Sequence, residues 1–384
     1  MNEFQYVAYA QEVIFGPGAL SRLAEAVSRL GARRLLLCTS GSLRTGGQVA
    51  AVQTIMGDRL VAVFDQVLPH VQDVQVDQVV ALAATNEVDA VIGLGGGSPL
   101  GMAKAVAYAL EQKRSGTSPQ PSVPTAQPRV PVVAIPTTYA GSEMTAVYGI
   151  THSRETPPRK LTVSDPRIAP KVVLYDPNLT LDLPPELTAS TGMNALAHCI
   201  EALYSRTRHP LSTAAASSAV RYIAGALLAC YTQGRDLEAR TQMLIGAHLA
   251  GRSLADVTMG LHHGLCHVLG GTAGVPHGIA NSIILPHAIR FNAEVTALQL
   301  RPVAEALGVS VDGFGPAAAI QAAAQKIYDL AGQMKLPQRL RDAGVKEADL
   351  PDLAQMAFQN RTVHNNPRPV TEAGEIERLL RAAW

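Results

Sequence analysis

The sequence lacks an excess of either charge. Its 384 residues carry 32 basic and 31 acidic side chains, a net charge of +1. Nucleic acid and anionic membranes are gripped by a concentrated basic field, so neither is expected as a partner. An acidic small molecule would need only a local basic pocket. Cysteine pairs are missing too. Cys38, Cys199, Cys230 and Cys266 lie far apart and form no CxxC motif. An even count in a chain this long is not a disulfide framework, so reduced structural thiols in a cytoplasmic protein are expected. Cys266, set among histidines, is the exception to watch. The N-terminus MNEFQYVAYAQEVIFG has no basic flank leading into an apolar core, so no signal peptide is read there. No apolar stretch is expected to reach the ~18 residues of a membrane helix, and there is no internal repeat.

What is present is a large apolar fraction, 47%, enough for a core in each half. A soft prior of ~150 residues per domain gives two domains. The first half alternates apolar β-rich runs with helical patterns: strands at 33–41, 60–67, 89–97, 130–138 and 171–177, helices at 76–87 and 99–110. Such alternation predicts a parallel, Rossmann-like sheet with helices on both faces. Past Pro184 alanine-rich helical segments take over. An α/β N-terminal domain over 1–180 and an all-α C-terminal domain over 181–384 are therefore expected. The segment 111–129, rich in Pro, Ser and Gln, is read as a mobile surface loop.

Two turns in the first half carry chemistry. In IGLGGGSPLGMAKAVA a buried strand breaks into Gly95-Gly96-Gly97-Ser98, and a helix is expected to open near Pro99, a residue suited to the first helical position. Glycines let backbone approach a ligand, and free N–H groups at a helix start attract a phosphate. The spacing is not GxGxxG, and the plain alternative is an ordinary strand-to-helix turn. IPTTYAGSEMT supplies hydroxyls from Thr137, Thr138, Ser142 and Thr145; a capped turn is its ordinary reading. Loops at strand C-termini converge on one crevice in a doubly wound sheet. The first strand ends in Thr39-Ser40 with no acid to bind a ribose 2′-OH, while Arg33, Arg34 and Arg44 lie nearby, so NADPH stays open beside NADH.

The second half gathers histidine. GLHHGLCHVLGGTAGVPHGIANSIILPH holds His262, His263, His267, His277 and His287, and NALAHCIEA places Asn194 and His198 at i, i+4. His263 and His267 share one helical face. A lone histidine is ordinarily a packing residue, and His262 and His287 are read that way. The rest read as a site.

Together VIFGPGAL, GGGSPLGMAKAVA, IPTTYAGSEMT, LYDPNL, STGMNALAHCIEA and the histidine-rich run resemble the iron-containing alcohol dehydrogenase superfamily over nearly the whole chain. The resemblance implies a dehydroquinate synthase-like fold. It also implies a nicotinamide cofactor on Gly95, Gly96, Gly97, Ser98, Thr137 and Thr138, with Ser142, Lys160, Thr39 and Ser40 contributing, and a homodimer. Metal-dependent members hold one divalent ion with an Asp and three histidines, which map to His198, His263 and His277. The Asp position is Asn194 here, a much poorer cation ligand. The turn reads TTYAGSE where those members carry a longer TTxGTGSE-like run.

Both departures are similar to the maleylacetate reductase branch, which implies metal-free NADH- or NADPH-dependent reduction of a carbon–carbon double bond in a small dicarboxylate. His198, His263, His277 and the Asn194 amide would surround the reacting oxygen, with His267 a second-rank acid. Arg252, Lys160 or Arg361 would answer the substrate's charge. The alternatives are a metal-dependent alcohol dehydrogenase that tolerates Asn194, and a non-catalytic nucleotide-binding protein.

Overall fold

The computed structural model describes residues 4–114, 127–152, 159–310 and 315–384, apart from the side chains of Arg114, Arg159 and Lys160. The chain divides between Leu181 and Asp182 into two compact units.

The first unit contains the strands β1 (Glu12–Phe15), β2 (Leu35–Cys38), β3 (Leu60–Phe64), β4 (Ala90–Gly95), β5 (Val132–Pro136), β6 (Val147–His152), β7 (Arg159–Ser164) and β8 (Val172–Tyr175). Its helices are α1 (Leu23–Arg29), α2 (Gly41–Thr45), α3 (Gln48–Met56), α4 (Asp73–Thr85) and α5 (Gly97–Arg114). Six strands form one parallel sheet in the order β1-β8-β5-β4-β2-β3. Runs such as LLLC and VVAIP are buried along their whole length, because a parallel sheet is covered on both faces. Alternation divides them between two cores. Leu36, Cys38 and Val91 pack with α4 and α5 residues such as Val79 and Val106. Leu35, Leu37 and Ile92 pack with α1 and α3 residues such as Leu23 and Val52.

From β2 the chain builds β3 on one side and β4 on the other, so the strand order reverses between β2 and β4. Ligands bind at such a point, outside the carboxyl ends of the strands. The register pairs Cys38 with both Phe64 and Gly93, and Gly95 with Pro136. Asp65, Thr39, the Gly95–Gly97 turn and Thr137 therefore lie in a row along one edge.

Several expectations need correction. α5 starts at Gly97, two residues before Pro99; a proline there still lacks only an N–H that has no intrahelical partner in the first turn. The same helix runs on to Arg114, and buried Glu111 accepts a hydrogen bond from Val130 N at 2.7 Å. The start of the 111–129 segment is thus ordered helix, while its residues 115–126 lie outside the described residues. The antiparallel pair β6–β7 was not anticipated.

The second unit consists of helices: α6 (Pro185–Tyr204), α7 (Pro210–Thr232), α8 (Leu237–Asp256), α9 (Leu261–Thr272), α10 (His277–Thr296), α11 (Arg301–Ala306), α12 (Pro316–Gln333), α13 (Leu350–Gln359) and α14 (Ala373–Ala383). Against expectation, α7 is long and apolar enough to pass as a membrane span. Its Ala216, Ala219, Val220, Ile223 and Leu227 are buried, and glycines seat it between its neighbours. A Cβ on Gly192 of α6 would fall 2.2 Å from Leu227 Cδ1, and one on Gly246 of α8 would fall 2.7 Å from Ile223 Cγ1. Those side chains belong to the core of the helical unit.

A third close approach joins α10 to α6. A Cβ on Gly278, the second residue of α10, would lie 2.8 Å from Ser190 O and 2.9 Å from Ser190 Cβ on α6. Backbone cannot swing aside as a side-chain tip can, so Gly278→Ala is expected to cost about 1–3 kcal/mol by overpacking. Chemical denaturation of the variant measures this, and an unchanged midpoint would show that α10 shifts freely.

Candidate functional site

In the first unit the glycine turn is built around contacts that forbid larger residues. Gly95 has φ +135, and a Cβ there would meet Pro99 Cγ at 2.9 Å. A Cβ on Gly96 would lie 3.2 Å from Thr138 Oγ1, whereas Gly97 faces open space. The unbonded N–H groups of the first turn of α5 have room for an anion here, so the residues present fit a dinucleotide phosphate. Thr137 N donates to Gly95 O at 3.1 Å, tying the second turn to the first.

The remaining predicted cofactor residues divide. Ser98 Oγ accepts from His70 N at 3.2 Å. Thr39 is fully buried, with its hydroxyl donated to Leu94 O at 2.9 Å; it holds the ends of β2 and β4 together. Ser40 is partly exposed beside Ser42, Oγ to Oγ 3.0 Å. Lys160 lies on β7, and its side chain is outside the described residues. Of the three arginines named with these residues, Arg33 and Arg34 precede β2 at its opposite end, where their backbone N–H groups bind Asp89. Only Arg44 stands at the ligand edge. No acid follows β2, as read, but one stands a strand over: Asp65 follows β3 and pairs with Arg44.

The second turn rests on Lys104, which the sequence reading missed. This fully buried ammonium donates to Ser142 O (2.5 Å), Ser142 Oγ (3.3 Å), Thr145 Oγ1 (3.1 Å) and Val147 O (2.9 Å). Ser142 and Thr145 are therefore engaged inward. Burial pushes Lys104 down to about 7, with Glu143 acting the other way; four oxygen acceptors favour the charged form. Glu143 is also buried, and burial raises its carboxyl although Tyr175 OH donates to it at 2.8 Å. One α5 helix thus opens at the glycine turn and braces the neighbouring turn from a position one to two turns further along.

In the helical unit, Asn194, His198 and Glu201 fall on one buried face of α6. His262, His263, Cys266 and His267 come from α9, and His277 opens α10. The rings of His198 and His263 stack with centroids 4.9 Å apart. His263 lies 6.2 Å from His277 and 6.3 Å from His267, and the last two stack at 6.0 Å. Four predicted histidines therefore form one cluster about His263. His267 is its exposed member and His277 is part-buried.

Glu201 is the residue that sequence reasoning missed here. Its carboxylate accepts from His263 Nδ1, from His263 N at 3.3 Å and from Gly260 N at 2.8 Å. Burial alone would raise this carboxyl; His263 and His262 outweigh it and hold Glu201 well below the usual range, as an anion. The contact assigns the Nδ1 proton to His263. Its Nε2 and His198 Nδ1 are buried with no hydrogen-bond partner among the described residues. The available signal was an acidic residue three positions after His198, within the apolar run CIEALY.

His262 also needs correction. It is more than packing: Nε2 is 3.2 Å from Asn281 O, Nδ1 is 3.2 Å from His263 Nδ1, and Cys266 Sγ is 3.7 Å away. His287 is part-buried, and burial together with Arg290 pushes it down to about 4. Arg252 pairs with Asp256 at 3.4 Å, and Arg361 is exposed. All four cysteines are buried and none is in a disulfide.

The site does not fit a ready-made divalent metal centre. Among the described residues the one group of three or more His, Cys, Asp or Glu with ligand atoms within 4.8 Å of one another is Glu201, His262 and His263, and these already bond one another. His198, His263 and His277 do not close into such a group, and Asn194 brings no charge.

Matches to known proteins place the chain. The model for iron-containing alcohol dehydrogenase covers residues 10–177, and that for the Fe-containing alcohol dehydrogenase family, C-terminal, covers 188–384. The chain belongs to the iron-containing alcohol dehydrogenase family and is a nicotinamide-dependent oxidoreductase. A maleylacetate reductase of Pseudomonas knackmussii is 37% identical over 97% of this chain and 95% of its own length. The crystal structure of maleylacetate reductase from Rhizobium sp. strain MTP-10005 is 33% identical with TM-score 0.86, covering 100% of this chain and 99% of that one. A 1,3-propanediol oxidoreductase structure, 32% identical and fully covered on both sides, gives 0.91. The backbone therefore does not separate the branches of the family.

Burial and mutual repulsion from His263 and His262 lower His198 well below its usual value, and burial lowers His263 despite Glu201. Below ~6.5 the unfolded chain takes up protons that the folded rings refuse, so stability should fall as pH drops through that value, by up to about 1.4 kcal/mol per pH unit for each ring. Denaturation midpoints between pH 7.5 and 5.5 report this, and His198→Gln should flatten the slope. A slope of equal steepness in that variant would place the linkage elsewhere.

Proposed function

We propose that the chain is a maleylacetate reductase, reducing the carbon–carbon double bond of maleylacetate to 3-oxoadipate with NADH or NADPH and no catalytic metal. The observation that carries this reading is a histidine cluster with two unpartnered buried ring nitrogens and an amide, Asn194, where a metal would want a carboxylate. The named relatives support it at 37% and 33% identity.

The bound dihydronicotinamide supplies the hydride. The chain holds that coenzyme through the Gly95–Gly97 turn and the α5 N-terminus, with Thr137 and Thr138 alongside. Reduction places negative charge on the substrate's ketone oxygen. A carboxylate at 194 would repel that oxygen, whereas the Asn194 Nδ2–H can donate to it. Burial lowers His263 in the free enzyme, and Glu201 at Nδ1 works against that shift. Two substrate carboxylates nearby would raise its proton affinity, which makes Nε2 the atom at which a proton is held for transfer. The stacked His198 supplies the second unpartnered nitrogen. We further take the enzyme to be a cytoplasmic homodimer: Val13 and Phe15 on edge strand β1, with Phe4, Tyr6 and Val7 before it, are exposed apolar side chains that a second copy would cover.

Adding maleylacetate should consume reduced nicotinamide absorbance, with metal well below stoichiometric and no loss to a chelator. Stoichiometric metal and turnover of simple alcohols instead would establish the metal-dependent alcohol dehydrogenase reading. His263→Ala should lower kcat by about 100-fold or more. Asn194→Asp should slow maleylacetate reduction by about tenfold or more while raising bound zinc; faster turnover in that variant would refute the donor role of the amide.

A further inference from the structure

One feature of the first unit takes no part in the chemistry above: a cavity of 440 Å³ lined by Arg44, Val49, Ala50, Gln53, Val63 and Asp65. Its size is within the ~300–1,000 Å³ of small-molecule sites. Its position follows from the register. Asp65 comes directly after Phe64, the partner of Cys38, and Thr39 N donates to Phe64 O at 2.9 Å. Thr39 in turn bonds Leu94, at the edge of the glycine turn. A dinucleotide with its pyrophosphate at Gly95–Gly97 would extend its adenosine half across the end of β2 toward β3, along the crevice where the strand order reverses.

We propose that this cavity takes the adenosine end of the coenzyme and that Arg44, anchored by Asp65, reads the ribose 2′ position and binds the 2′-phosphate of NADPH. The inference rests on the coenzyme reading above. An acid that reads a ribose diol must offer open carboxylate oxygens. Asp65 does not: its side chain is 11% exposed and is capped by Arg44 Nη1. Arg44 is the open group, 68% exposed, with one nitrogen of its fork committed to Asp65. The remaining donors suit a phosphate. No acid stands at Thr39-Ser40 to repel that phosphate. Because Asp65 neutralises Arg44 in the absence of a phosphate, NADH brings no unanswered charge, and both coenzymes are accepted. Val49, Ala50 and Val63 give the base apolar walls.

The test is titration calorimetry of the full chain with NADH and with NADPH. Wild type should bind both, with dissociation constants within about tenfold of each other; Arg44→Ala should weaken NADPH by about tenfold or more and NADH by under about twofold. Arg44→Lys keeps the charge but not the fork and should fall between. Arg44→Gln serves as a second variant if the alanine form is unstable. Equal weakening of both coenzymes, or of neither, overturns the assignment. A wild-type chain that binds neither overturns the coenzyme reading itself.

Discussion

The buried carboxylate of Glu201 is the constraint on which the helical unit's site depends. An anion fully removed from water must be answered on every lone pair, and here the answers come from the start of α9: Gly260 N, His263 N and His263 Nδ1. One side chain therefore fixes where α9 meets α6, which ring nitrogen of His263 carries its proton, and which is left facing the cluster. Gly260 and Gly278 serve the same end, since a Cβ on either would press on α6 or what lies beside it. The imidazoles are close because the helices are close, and the helices are close because small residues and one anion allow it.

The first unit solves a parallel problem with a cation. Lys104 is buried among four oxygens of the 142–147 segment, and it sits on the helix whose N-terminus faces the glycine turn. Two turns from different strands are thereby referenced to one rigid helix. A binding site built this way loses little entropy on ordering. The hydroxyls of Ser142 and Thr145, which look like ligand groups in a linear reading, are instead part of the brace.

The family fold is shared with enzymes named for alcohol chemistry as closely as with those named for maleylacetate, so function here is decided by individual side chains on a common frame. On the proposed reading, a neutral amide at 194 and a clamped His263 stabilise the oxyanion by donating hydrogen bonds.

Much of the architecture and part of the site were legible in the sequence. Continuous apolar strands, glycine and threonine turns at their ends, the change to alanine-rich helices and the spacing of Asn194, His198, His263 and His277 follow from local periodicity and composition, which act over a few residues. The sequence by itself determined the two-part architecture, the glycine turn between β4 and α5, and the histidine set. Only tertiary structure decided the roles of Glu201, Lys104, His262 and the Arg44–Asp65 pair. Glu201, Lys104 and Arg44 each depend on a partner 21 to 62 residues away, and burial of a charge cannot be read from its neighbours in the chain. The same reason explains the misplaced Arg33 and Arg34, at the wrong end of β2, and the unforeseen Arg44–Asp65 pair: register between strands, not order along the chain, sets what stands beside Thr39.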